Sequence, residues 1–392
     1  RKENTAQKGK ISVRKTGDIF TSVATASSAY TNENGEMIVN PTTYTPVFAD
    51  GDLSDAVFQV IAVEDIVTLD GTTRAYAGDV VSEITTDENG YAETEPLYLG
   101  KYEVRETKAP YGYVLNNKPK DVELTYAGQE FEVRDTVNTA FENEYQSVRI
   151  SLSKVMESDE LFGIYGKDCY TSVRFGLFTA EDITAADGTV IPADGMISEV
   201  SLDENMTAKF DVQIPFGRYY VQEIATDEHY VLNGEKYLVN FEYMGQDIQN
   251  VDIDCGQFVN LLKRGRIEGH KVDDKSEPLE NAVFGLFTAD CVKFSRDTAI
   301  MTAASDENGC FEFTDVPFGQ YIVREIESPS GYILSDKEYA VSISEDGEVI
   351  EITTENKPIT VEISKRDVYG NELVGAEMVL ENACLLYTSP SP

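Results

Sequence analysis

Tryptophan is absent from this 392-residue chain, and histidine occurs twice. His229 and His270 are too few for a histidine-rich metal centre, and His270, beside Lys271, reads as a solvated strand residue rather than a base. The five cysteines, Cys169, Cys255, Cys291, Cys310 and Cys384, follow no regular spacing, so no disulfide framework is implied. Cys291 and Cys310 are open to pairing or to remaining free thiols. Basic residues are scarce: 32 Lys and Arg against 70 Asp and Glu give a net charge of −38, spread along the chain. That balance argues against nucleic acid or an anionic membrane as partner. No apolar run is long enough to cross a bilayer, so no membrane insertion is expected. Phosphate loops, nucleotide fingerprints and serine elbows are missing too, and no cofactor or metal is implied.

What the chain does contain is a lysine, a glutamate and an asparagine recurring three times in that order. The sets are Lys15, Glu106 and Asn143; Lys154, Glu223 and Asn260; and Lys271, Glu325 and Asn356. Side chains alternate faces along a strand. Lys15 therefore shares a face with Ile11 and Val13, Lys154 with Ile150 and Leu152, and Lys271 with Ile267. Glu106 follows Tyr102 and Val104, Glu223 follows Tyr219 and Val221, and Glu325 follows Tyr321 and Val323 at the same parity. Three polar residues are thus aimed at each core, where an unpaired charge is costly.

Two readings fit that pattern. The simpler is a buried Lys–Glu ion pair with an amide beside it. The other is chemistry among the three. Burial lowers a lysine pKa and raises a glutamate pKa, so the pair can exist as neutral amine and neutral acid. A neutral amine is a nucleophile, and an asparagine amide held against it can be attacked, releasing ammonia and leaving a Lys–Asn isopeptide bond. The glutamic acid would polarise the amide and carry the protons.

The text around each glutamate repeats as well, from TTDENGYAETEPLYLGKYEVRETKAPYGYVL through SLDENMTAKFDVQIPFGRYYVQEIATDEHYVL to ASDENGCFEFTDVPFGQYIVREIESPSGYIL. Such recurrence implies tandem units. We expect residues 9–146, 147–263 and 264–357 to form three repeats, the first with a long insertion at 19–55 whose Ser/Thr-rich part spans Ile19–Tyr44. Residues 1–8 read as the end of a preceding repeat supplying Asn4, and 358–382 as the start of a fourth supplying Lys365 without partners. The last ten residues, ACLLYTSPSP at 383–392, break the pattern and resemble translated adapter sequence. The fold class expected is all-β, tandem antiparallel β-sandwiches of about seven short strands each, with strand pairing confined within repeats. The D-E-N-G runs at Asp87 and Asp306 read as hairpin turns rather than calcium loops.

These blocks resemble the SpaA-type, collagen-adhesin B-type repeats of Gram-positive surface proteins and pilins, which have a prealbumin-like fold. The most specific element is the E-T-x-A-P-x-G-Y box, matched in full by Glu106–Tyr113; repeat 3 keeps Glu325, Pro329, Gly331 and Tyr332. Repeat 2 has Asp227 and His229 where the box has proline and glycine, so its turn must differ. The resemblance implies isopeptide bonds Lys15–Asn143, Lys154–Asn260 and Lys271–Asn356, with Glu106, Glu223 and Glu325 as proton shuttles. It implies no turnover of an external substrate. The expected role is a stalk or shaft segment on the cell surface or cell wall, whose partners are neighbouring repeats. The alternative is an adhesin module binding a host-surface or matrix ligand through a loop such as Ile19–Tyr44.

Overall fold

Every position assigned inward by strand parity on the lysine and glutamate strands is buried in the computed structural model of the chain, from Ile11, Val13 and Lys15 to Tyr321, Val323 and Glu325. The structure describes residues 5–27, 29–31, 37–39, 41–130, 132–375 and 377; Asn4, Cys384 and the whole 378–392 tail lie outside them. It divides into two compact units, Arg1–Lys263 and Arg264–Pro392. The described residues are all-β apart from two short 3-10 turns, Gly166–Asp168 and Tyr170–Ser172.

Three sandwiches share one plan. In the first, the strand Lys8–Ala26 lies between Tyr91–Glu93 and Val133–Asn143, facing a second sheet ordered Lys120–Leu124, Gly100–Lys108, Val57–Ala62, Val80–Thr85. In the second, Ser147–Met156 lies between Thr207–Asp211 and Asn250–Asn260, opposite the strands Met196–Ser201, Arg174–Thr179, Gly217–Ala225 and Tyr237–Phe241. The third repeats this with Arg264–Asp273 between Cys310–Pro317 and Val349–Asn356. Within each repeat pairing is antiparallel with one exception: the first and last strands run parallel. Parallel neighbours need a long crossover, and here the whole domain is the crossover.

The lysine strand of repeat 3 carries a glycine where its counterparts carry Val13 and Leu152. A Cβ on Gly269 would sit 2.0 Å from the Phe311 ring, and Phe311 stacks on Phe284 with centroids 3.8 Å apart. The aromatic pair fills the space a branched aliphatic fills elsewhere.

Pairing is not confined within repeats. Much of the described insertion is strand: the first strand of repeat 1 runs on to Ala26 and pairs with Thr43–Asp52, the two forming the arms of a hairpin. That hairpin lies on repeat 2. Thr43 bridges Met196, the Val23 amide donates to Thr189 Oγ1 at 2.9 Å, and the Ala186 and Asp187 amides donate to the Phe20 and Thr21 carbonyls. Sequence parity cannot reveal this, because it identifies a buried face but not which domain covers it.

The box of repeat 1 also docks onto repeat 2. The Ala109 amide donates to Gln246 Oε1 at 2.9 Å, and the Leu115 amide donates to the Gln246 carbonyl. Fully buried Gln146 donates to the Gly245 and Ile248 carbonyls and accepts from the Met244 amide, so all its polar atoms are satisfied. Around them Tyr145 packs on Phe216 and Phe48, and Phe216 on Phe241, with ring centroids 4.6 to 5.3 Å apart. Phe216→Ala removes the ring central to this cluster. It is expected to cost about 2–3 kcal/mol and, in calorimetry, to separate the unfolding of repeats 1 and 2 into two transitions.

Candidate functional site

Each lysine sits where the parallel pairing places it two positions short of its asparagine. Lys15 is opposite Phe141, Lys154 opposite Phe258, and Lys271 opposite Thr354, so that Asn143, Asn260 and Asn356 are the next residues on the same face. The lysine amine donates to the asparagine carbonyl oxygen in all three: Lys15 to Asn143, Lys154 to Asn260 at 2.6 Å, and Lys271 to Asn356 at 2.7 Å. With a C=O bond of about 1.2 Å, the latter two amines lie no more than about 3.9 Å from the amide carbon. These contacts join residues 128, 106 and 85 positions apart in sequence.

The glutamate arrives from the opposite sheet, across from Phe58, Phe175 or Phe284. One residue beyond it the register slips in every repeat, between Glu106 and Lys108, Glu223 and Ala225, and Glu325 and Glu327. Such a bulge re-aims a side chain and ends regular pairing. Here it turns the chain into the box while leaving the carboxylate inside. The asparagine amide nitrogen donates to that carboxylate at 2.9, 3.0 and 2.8 Å in repeats 1 to 3. The lysine amine is 3.4, 2.8 and 3.5 Å from the same oxygen. The side chains of all three pairs are at most 1% exposed.

Burial sets the electrostatics. It lowers Lys15 to about 8, with Glu106 opposing the shift, and it lowers Lys154 and Lys271 against the same opposition from Glu223 and Glu325. Burial also raises Glu106, against the pull of Lys15. In repeat 1 amine and acid are thereby both moved towards their neutral forms, the condition for nucleophilic attack with proton transfer. The Phe175 and Phe284 rings lie 5.6 and 5.8 Å from the lysine nitrogens and close the site to water.

Two supports escaped the sequence reading. The second carboxylate oxygen accepts a backbone amide ten residues after the glutamate, from Asn116, Asn233 or Ser335, at 2.8 to 2.9 Å. A short polar residue stands at that spacing in each repeat, a signal that was available in the text. The other support is the D-E-N-G turn. Asp87 and Asp306 each accept amides from two and four residues on; the turns they hold are not the hairpins expected, because the strands on either side pair in different sheets and each turn carries the chain from one sheet to the other. Asp203 does the same in repeat 2, with Met206 in the left-handed region where the others have glycine. The turn's carbonyl then accepts the amide of the site lysine, from Gly90, Met206 or Gly309, at 2.7 to 2.8 Å.

Lys365 is exposed, as are Val361 and Ile363. Its carbonyl accepts the Leu373 amide, as Lys15 and Lys271 accept those of Leu53 and Leu279. The local turn of a lysine strand is therefore present there without a core. The four described cysteines are free thiols. No helix among the described residues is long and apolar enough to cross a membrane.

Each of the three sandwiches thus has parallel end strands and encloses a lysine, an asparagine and a glutamate between its sheets. Residues 48–138 and 265–358 match the family model of the SpaA prealbumin-like fold domain. The match omits repeat 2, whose box has lost its proline and glycine but whose sheets are ordered like its neighbours'. The trypsin-resistant surface T6 protein of Streptococcus pyogenes is 25% identical over 138 residues, 35% of this chain and 24% of that protein. Serine-aspartate repeat-containing protein D of Staphylococcus aureus is 26% identical over 277 residues, 67% of this chain and 20% of that protein. The chain thus spans about a fifth to a quarter of these relatives. The Bacillus anthracis TIE protein has a similar fold, with a TM-score of 0.56 at 20% identity over 86% of this chain and 58% of that one.

Gly309 has φ +76°, and a Cβ there would meet the Lys271 carbonyl oxygen at 2.3 Å. Gly347 has φ +78° with nothing within 4 Å. Gly309→Ala is expected to destabilise repeat 3 by about 2 kcal/mol or more, and Gly347→Ala by distinctly less. Urea denaturation of the two variants measures the difference as the worth of the clamp on the lysine strand.

Proposed function

We propose that this chain is a structural stalk segment of a Gram-positive cell-surface or pilus-like protein, each of whose three repeats is locked by a self-made Lys–Asn isopeptide bond. The observation that carries the proposal is the threefold enclosure of a lysine amine on an asparagine carbonyl, with a carboxylate bridging both groups.

In each repeat the lysine nitrogen forms a bond to the asparagine side-chain carbon, and the bond from that carbon to its amide nitrogen breaks. The glutamate takes a proton from the attacking amine and returns it to the departing nitrogen, which leaves as ammonia. The carboxylate is in reach of both nitrogens, so neither proton need cross solvent. The reaction consumes its own site and runs once.

The bond would join the first strand to the last. Because these strands are parallel neighbours, a pull entering at the start of the domain and leaving at its end would pass through the lysine and asparagine. Nearly the whole domain would carry no load. An acidic, cysteine-independent array of such units suits an exposed shaft outside the cell, and the surface location in the T6 protein's name is consistent with that reading.

Intact-mass spectrometry of the chain is the direct test. The expected mass is lower than the sequence mass by three ammonia losses, about 17 Da each. Glu106→Ala, Glu223→Ala and Glu325→Ala should each restore one. A wild-type mass equal to that of the sequence would leave three buried polar clusters and remove the covalent tie.

A further inference from the structure

The two positions at which repeat 2 lacks the proline and the glycine of the box fall on one spot. Six residues after the glutamate, repeats 1 and 3 have Gly112 and Gly331 at φ +93° and +89°; repeat 2 has His229. Four residues after it, they have Pro110 and Pro329; repeat 2 has Asp227. The turn survives, since the Tyr230 amide donates to the Asp227 carbonyl at 3.0 Å much as Tyr113 does to Pro110. His229, however, is not in the left-handed region, so the turn no longer needs glycine. Residues chosen for backbone shape have been exchanged for residues that carry ligand atoms.

A third ligand comes from elsewhere in the repeat. The segment between the first strand and Arg174–Thr179 folds into the two 3-10 turns, and Cys169 lies between them. Its thiol, a carboxylate oxygen of Asp227 and a ring nitrogen of His229 all lie within 4.8 Å of one another. Asp227 Oδ1 is already 2.6 Å from His229 Nδ1, which fixes the ring's orientation. Donor atoms around a tetrahedral zinc ion stand roughly 3.5 Å apart, so closing on an ion would draw the most separated donors in by up to about 1 Å and open the 2.6 Å Asp227–His229 contact by a similar amount. A thiolate, an imidazole and a carboxylate together select a borderline ion such as zinc over calcium or magnesium. Among the described residues no other such trio of histidine, cysteine and acidic side chains occurs.

We propose that Cys169, Asp227 and His229 form a divalent transition-metal site, with zinc the preferred ion and water completing its coordination. The ion displaces the thiol proton on binding and ties the 3-10 segment to the box turn of repeat 2. Thr226 adjoins that turn, and its Oγ1 accepts the Asn260 side-chain amide at 2.8 Å. The clamp therefore lies one residue from a group that holds the asparagine of the candidate cross-link.

The test is metal binding by the full chain, read independently of any mass loss. With zinc in dialysis equilibrium, one tight equivalent per chain is expected above weak binding to surface carboxylates. Cobalt(II) in its place should give a thiolate charge-transfer band in the near ultraviolet. Cys169→Ser should abolish the band, and His229→Ala should weaken binding at least about tenfold. Cys310→Ser, which removes a thiol 3.7 Å from His270 in repeat 3, should leave both signals intact. Absence of a tight equivalent, or a cobalt band that survives Cys169→Ser, would overturn the assignment.

Discussion

Each repeat is organised around a lysine amine that has been taken out of water and set against an amide. A charged ammonium in that position would cost several kcal/mol. The fold answers by supplying the asparagine oxygen, a glutamate and an aromatic face within the same enclosed volume, and by moving the amine towards neutrality. That requirement dictates much else. The first and last strands must be neighbours in register, the glutamate strand must face them from the other sheet, and a bulge must release the chain just after the carboxylate. All three features recur although the lysine-to-asparagine separation ranges from 85 to 128 residues. The insertions that produce this range are carried where the site does not feel them.

How the units are joined follows a different logic. Repeat 1 holds repeat 2 through its own conserved-looking parts and through an addition. The Ala109–Tyr113 turn of the box, which closes the glutamate strand of repeat 1, also presents its amide and rings to the loop around Gln246 of repeat 2. The hairpin Ser22–Ala26 with Thr43–Val47 is the addition, laid along the outer sheet of repeat 2. Buried Gln146 at the junction has every polar atom paired, so the contact is specified rather than merely greasy. Such a junction would limit bending between repeats 1 and 2.

The site was more legible in the sequence than the junction, and the reason is physical. Strand parity and buried polar residues are local signals: Lys15 after Ile11 and Val13 announces its face without knowledge of its partner. The same signals cannot say which surface covers a solvent-side strand. The Ile19–Tyr44 stretch, polar and proline-containing, therefore read as an insertion with a free loop, whereas its described strands pair with one another and rest on the next domain. The parallel relation of the end strands was also hidden, because alternation is identical in parallel and antiparallel pairs. The backbone amides of Asn116, Asn233 and Ser335 were missed for a simpler reason, since attention to side chains overlooks donors that every residue possesses.

Repeat 2 shows which parts of the design can vary. At the turn between its sheets it has Met206, held at φ +60°, where repeats 1 and 3 have glycine, and its box has neither proline nor glycine. Yet the lysine, asparagine and glutamate meet as they do elsewhere, and the Lys154–Glu223 contact is the shortest of the three. Proline restricts the backbone and glycine admits a left-handed residue, but a side-chain hydrogen bond can also hold a turn. Thr226, standing where repeats 1 and 3 have Ala109 and Ser328, supplies one directly to Asn260. The turn is thus negotiable because several chemistries can hold it. The enclosed triad is not, because removing the lysine takes the donor from the asparagine oxygen in every repeat, and removing Glu106 or Glu325 takes the acceptor from the asparagine amide.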